Sequence, residues 1–176
     1  MPCICSMVLP TACYNVMNLE AFKQESEKQK ESNRAFYKRL KQKKPKDLDD
    51  RFHNQHEEVF THIDCLECAN CCKTTSPLFT DRDIERVAKA IRLKPADFIS
   101  QYLKVDEDGD YVLQSSPCPF LDADNYCSVY KDRPTACREY PHTNRKRMVQ
   151  ILDITYNNTL VCPAVLSITE ELKKVF

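Results

Sequence analysis

Glycine is nearly missing from this chain: Gly109 is the single one among 176 residues. A P-loop or a G-x-G-x-x-G turn needs several glycines where backbone closes on phosphate, so nucleotide folds of that kind are excluded. Tryptophan is absent. Net charge is absent as well, because 26 Lys and Arg balance 26 Asp and Glu. No global field therefore favours nucleic acid or a membrane surface. No apolar run approaches the roughly 18 residues of a membrane span. The opening MPCICSMVLPTAC has no Lys or Arg ahead of its apolar stretch and runs into a charged segment, so it reads poorly as a signal peptide. Pro10 argues against a lipoprotein cleavage ahead of Cys13. MNLEAF opens a helix at Met17 with nothing needed upstream, and residues 1–16 can be read as an over-extended gene start. Without an export signal the expected compartment is the reducing cytoplasm, where disulfides are rare.

Cysteine is abundant instead, with 11 in the chain. Four fall within Cys65 to Cys72, reading CLECANCC, and Cys118, Cys127, Cys137 and Cys162 are strung through the C-terminal half. Thiols at that density bind metal or form disulfides. The rest of the composition, 42% apolar and 30% charged, is that of a soluble globular protein.

The spacing predicts a long, mostly solvated helix over 18–44, with a thin apolar face of Leu19, Phe22, Phe36, Tyr37 and Leu40 and a basic end, KRLKQKKPK. A second helix is expected from an Asp47 N-cap, with Leu48, Phe52, Val59, Phe60 and Ile63 inward. His53 and His56 on it are read chiefly as surface residues, with a shared metal as the alternative. Thr80 and Asp83 form a capping-box pair for a third helix. Pro95 opens a fourth, with Phe98, Ile99, Tyr102 and Leu103 inward. DEDGD at 106–110 is a turn without the residue order of a calcium loop. Residues 111–114 and 148–156 read as β, and a last amphipathic helix follows Cys162–Pro163.

A C-x-x-C turn aims two sulfurs into one site, a form shared by zinc knuckles and iron–sulfur proteins. Here Cys65, Cys68 and Cys71 repeat that spacing, and Cys162–Pro163 and Cys118–Pro119 have the local form of a distant cluster ligand. Cys72 directly follows Cys71, and adjacent side chains diverge. The doublet therefore suggests two neighbouring sites, or one site plus a free thiol. Two Zn²⁺ with eight thiolates leave a charge of about −4. Lys73, Lys131, Arg133 and Arg138 stand beside ligands and could offset it. Arg133 and Arg138 would stabilise thiolate charge, or pair with Asp122, Asp124 or Glu139. Tyr126, Tyr130 and Tyr140 would shield the site from water. The zinc-peptidase H-E-x-x-H pattern, the radical S-adenosylmethionine C-x-x-x-C-x-x-C order and the zinc-deaminase pattern are missing.

CLECANCC, then SPCPFLDADNYCSVYKDRPTACREYP, then Cys162 resemble the YkgJ-like cysteine-cluster family, from about Ile63 to Cys162. Tyr140 stands where that family usually has Phe. The resemblance implies zinc or iron chelation, as Zn²⁺ or a 4Fe–4S cluster, at Cys65, Cys68, Cys71, Cys72, Cys118, Cys127, Cys137 and Cys162. It implies no single reaction. Flagellin lysine N-methylases carry a related cluster, which keeps open a redox or protein-modifying enzyme. A zinc-stabilised module presenting its basic helix end to RNA or a protein is a third reading, although neutrality argues against nucleic acid. The expected architecture is mainly α with a small irregular or β, metal-stapled core. Its parts would be an N-terminal extension over 1–62 and a cysteine-cluster domain over 63–176.

Overall fold

The computed structural model describes residues 18–176; the alternative start at Met17 and Cys3, Cys5 and Cys13 lie outside them. The fold is mainly helical with one small antiparallel sheet, as the sequence implies. Helix α1 spans Leu19–Lys43. The Asn18 side chain caps it by accepting from the Glu20 and Ala21 amides. Lys44 ends it in the left-handed region at φ 46°, a place usually given to glycine. Its buried face carries Phe36, Tyr37 and Leu40.

Helix α2 spans Leu48–Phe60. Asp47 makes no side-chain cap bond; its carboxylate is held instead by Arg51 Nε, one turn on, at 2.9 Å. Asp49 reaches across and accepts the amides of Arg147 (2.6 Å) and Met148 (2.8 Å). That grip starts the 3₁₀ turn Met148–Gln150, which leads into α8, Leu152–Asn158.

The strand expected over 148–156 is thus helical. The β-branched Val149, Ile151 and Ile154 suggested a strand. The side chains actually buried are Met148, Ile151, Leu152 and Thr155, a helical spacing. Helix α9, Pro163–Lys173, starts where expected, with Pro at its first turn. Together α1, α2, α8 and α9 enclose a core that includes Phe36, Leu40, Phe52, Met148, Ile168 and Leu172.

A polar contact inside that core joins α1 to α9. Thr169 Oγ1 donates to the Val165 carbonyl at 2.6 Å, so Tyr37 Oη, 2.8 Å from Thr169 Oγ1, is the donor to it. Burial pushes the Tyr37 phenol above its ordinary range. Tyr37→Phe should cost about 1 kcal/mol, the net worth of one such bond. Urea unfolding checks this; an unchanged midpoint would show the bond to be energetically idle.

A second core is built separately. Helix α5, Asp81–Ala90, opens on a complete Thr80–Asp83 capping box, and α6 spans Pro95–Tyr102. The sheet has order β1-β3-β2, with β1 Leu78–Phe79, β2 Leu103–Val105 and β3 Tyr111–Leu113. Its register pairs Leu78 with Val112 and Leu103 with Leu113. Leu103, expected on the helix, begins β2. Gly109 takes φ +87° in the acidic turn, where Asp106 Oδ1 accepts the amides of Asp108 and Asp110. Phe79, Val87, Phe98, Leu113, Phe120 and Val129 are buried here, and Cys118 and Cys127 pack against them. The principal packing partners of each element lie within its own core. No helix among the described residues is long and apolar enough to cross a membrane.

Candidate metal centre

The segment between α2 and β1 folds as two short turns of helix, α3 Cys65–Cys68 and α4 Asn70–Thr74. Asp64 caps α3 through the Leu66 amide at 2.8 Å. Between the turns Ala69 is left-handed (φ 48°, ψ 16°) and 3% exposed. Its amide returns to the Cys65 carbonyl at 2.8 Å. That reversal lets Cys65, Cys68 and Cys71 line one space. A non-glycine residue held so costs roughly 1–2 kcal/mol. Ala69→Val adds β-branching at this φ and should lower stability by about 2 kcal/mol more and reduce bound metal. Urea melts with metal analysis check this, and a variant matching the parent in both would contradict it.

Bonds from this strap reach both cores. Asn70 Nδ2 donates to the Val161 carbonyl at 2.6 Å, beside Cys162 at the start of α9. The Cys118 amide donates to the Cys72 carbonyl at 2.8 Å, and Ser116 Oγ to the Lys73 carbonyl at 2.9 Å. Asn125 Nδ2 donates to the Glu67 carbonyl at 3.2 Å. Cys137 rides on α7, Thr135–Glu139. Asp83, 1% exposed, sets that helix: one carboxylate oxygen accepts both the amide and the hydroxyl of Thr135 at 3.0 Å. Arg86 pairs with Asp83 and donates to the Asp132 and Arg133 carbonyls.

The eight sulfurs line two adjoining cavities. A small one of about 20 Å³ is bordered by Cys65, Cys68, Cys71, Cys162 and Tyr140. A large one of about 710 Å³ is bordered by Cys65, Cys71, Cys72, Cys118, Cys127 and Cys137. All eight are free thiols. Among the described residues no group of three or more His, Cys, Asp or Glu is set to hold an ion as placed. The sulfurs surround the spaces and would have to draw inward.

A family model described as "Putative zinc- or iron-chelating domain", CxxCxxCC, matches residues 64–162, more than half of the chain. The chain belongs to the CxxCxxCC family. No curated protein and no solved structure matches it.

In this CxxCxxCC domain the amides are placed to favour thiolate. Cys68 accepts the Asn70 amide, Cys118 that of Phe120, Cys127 that of Val129, and Cys162 those of Val165 and Ala164. Hydrogen bonds of this kind favour the charged form. Burial and sulfur–sulfur crowding oppose it. Burial, followed by neighbouring sulfurs, pushes Cys137 up to about 12; burial likewise lifts Cys118 to about 11 and Cys162 to about 12. Cys71 gives its hydrogen bond to Cys72, which lowers Cys72 to about 7 and raises Cys71.

Arg133 stacks on Tyr130 at 3.9 Å and favours the thiolates of Cys65, Cys127 and Cys137. Lys73 favours those of Cys68 and Cys72. Arg138 fastens backbone, through the Arg133 and Lys131 carbonyls, and Arg133 Nη1 donates to the Tyr130 carbonyl. Tyr140 lines the small cavity, and its buried hydroxyl has no hydrogen-bond partner. Tyr126, expected as a shield, is 49% exposed and stacks on Tyr130 from outside the cavities. His53 Nε2 meets the Arg145 carbonyl at 2.9 Å, and His56 Nδ1 meets Thr143 Oγ1 at 2.7 Å. Each thus gives one ring nitrogen to the 143–145 turn, and His56 also lines the large cavity.

Asp83 and Arg86 are the positioning residues that sequence reasoning missed. Asp83 is legible as a capping-box partner, but Thr135 lies 52 residues on, and nothing local signals that pairing.

Proposed function

We propose that the protein is a cytoplasmic metal-binding protein whose ligands are Cys65, Cys68, Cys71, Cys72, Cys118, Cys127, Cys137 and Cys162. It would hold zinc or an iron–sulfur centre, and the bound metal would chiefly fasten two apolar cores. The observation that carries this reading is the meeting of eight free thiols, from both halves of the chain, around adjoining cavities at the junction of those cores.

The donor set fits. Thiolates are preferred ligands of zinc and of iron–sulfur clusters. Burial keeps most of these thiols protonated when no cation is present, and bound metal supplies the positive charge that replaces those protons. Four amide-bonded sulfurs, Arg133 and Lys73 then stabilise the negative charge that eight thiolates leave. Eight unpaired thiols also suit a reducing compartment.

Anaerobic purification with elemental analysis and an absorption spectrum tests the proposal. Bound zinc in a colourless protein, or iron with a broad visible band, supports it. A folded protein that carries neither, even after reconstitution with Zn²⁺ or with iron and sulfide, overturns it.

A further inference from the structure

We infer that the eight thiols form two distinct four-sulfur centres rather than one shared cluster: Cys65, Cys68, Cys71 and Cys162 on the helical core, and Cys72, Cys118, Cys127 and Cys137 on the sheet core. This rests on the metal-binding reading above and assigns each sulfur within it.

The cavities make the first division. Cys68 and Cys162 border only the small one, and Cys72, Cys118, Cys127 and Cys137 border only the large one. Cys65 and Cys71 touch both, so their membership needs further argument. Counting supplies it: four sulfurs border the large cavity alone, and Cys65 and Cys71 bring the small one, with Cys68 and Cys162, to four. The two groups adjoin at the Cys71–Cys72 step, where the Cys71 thiol donates to Cys72.

The hydrogen bonds follow much of this division, with the Asn125–Glu67 bond crossing it. The Asn70–Val161 bond ties the strap to the first residue of α9's approach, beside Cys162. The Cys118–Cys72 bond ties Cys72 to the segment carrying Cys118 and Cys127, which pack on the sheet core. Each group also contains two sulfurs bonded to the amide two residues ahead: Cys68 and Cys162 in one, Cys118 and Cys127 in the other. Four thiolates complete a tetrahedral zinc or one iron–sulfur cluster, so four and four leaves no sulfur over.

The test counts metal in the full chain, reduced and refolded anaerobically with excess Co²⁺ as the probe. Thiolate-to-cobalt absorption and elemental analysis are the readouts. Cys71→Ser and Cys72→Ser, neighbours in sequence, should each halve the metal content, with different residual spectra. The double variant Cys68→Ser/Cys162→Ser should also keep half, and so should Cys118→Ser/Cys137→Ser. Cys162→Ser/Cys137→Ser, taken across the groups, should keep none. Loss of all metal from any single variant, or from either within-group double, would overturn the division, as would half retention by the cross-group double. A variant that fails to fold with cobalt counts as total loss. A parent protein that binds no metal would instead sink the metal-binding reading itself.

Discussion

Stripping the metal from the folded protein should abolish its cooperative thermal transition, or shift it downward by tens of degrees. Structural zinc in small domains contributes an apparent ~10–16 kcal/mol per site. The net stability of a domain is only about 5–15 kcal/mol. Removing the ion therefore takes away as much free energy as the fold has in surplus. The architecture gives this loss a location. Each apolar core packs mainly within itself, and the strap from Asp64 to Thr74 joins them through a few hydrogen bonds, to which the proposed metal would add its thiolate bonds. Without metal, crowded and mostly protonated thiols occupy that junction. Cys68→Ser should reproduce part of the effect, because Cys68 is buried and its hydroxyl replacement is a poor ligand. Calorimetry before and after chelation under reducing conditions is the measurement. A stripped protein, or a Cys68→Ser variant, with an unaltered melting curve would remove the structural role of the metal.

Asp83→Asn should cost about 2–4 kcal/mol of stability. Burial alone would raise the Asp83 carboxyl, but bonds from Thr80, Arg86 and Thr135 outweigh it and hold the group at about 2, against 3.8 ordinarily. That difference alone corresponds to about 2 kcal/mol. An amide in its place sets an NH₂ against donors that need an acceptor, leaving at least one of them unpaired in a buried site. The folded-state value lies below the unfolded one, so the contribution is fully present above about pH 4. It fades as pH falls from about 4 towards 2. The stability difference between parent and Asp83→Asn, measured by urea unfolding, should shrink across that window. A difference that stays constant down to pH 2 would show that the charge is not its source. The variant should also loosen α7, and with it Cys137.

The helices were legible because their signals are local. Asn18, the Thr80–Asp83 pair and Pro95 mark starts that the structure keeps. The cysteines were legible for the same reason, since C-x-x-C spacing is a local signal. Strands β1 and β2 were not: two or three residues carry no measurable period, and they exist because β3 pairs with both. Residues 148–156 misled because three β-branched residues lie along a stretch whose buried positions follow a helical repeat. Asp83's hold on Thr135 and Asp49's hold on Met148 join residues 52 and 99 apart, and only the folded chain brings such partners together. The division of the sulfurs is of that kind too, because it depends on which side of the strap each thiol faces.

Asp49's reach to the Arg147 amide also rearranges charge. Lys43, Lys44 and Lys46 lie exposed at the α1–α2 turn, and that bond draws exposed Arg145, Lys146 and Arg147 towards them. Two basic runs nearly a hundred residues apart in sequence are thereby joined through the acidic first turn of α2, whose Asp49 and Asp50 offset part of their charge.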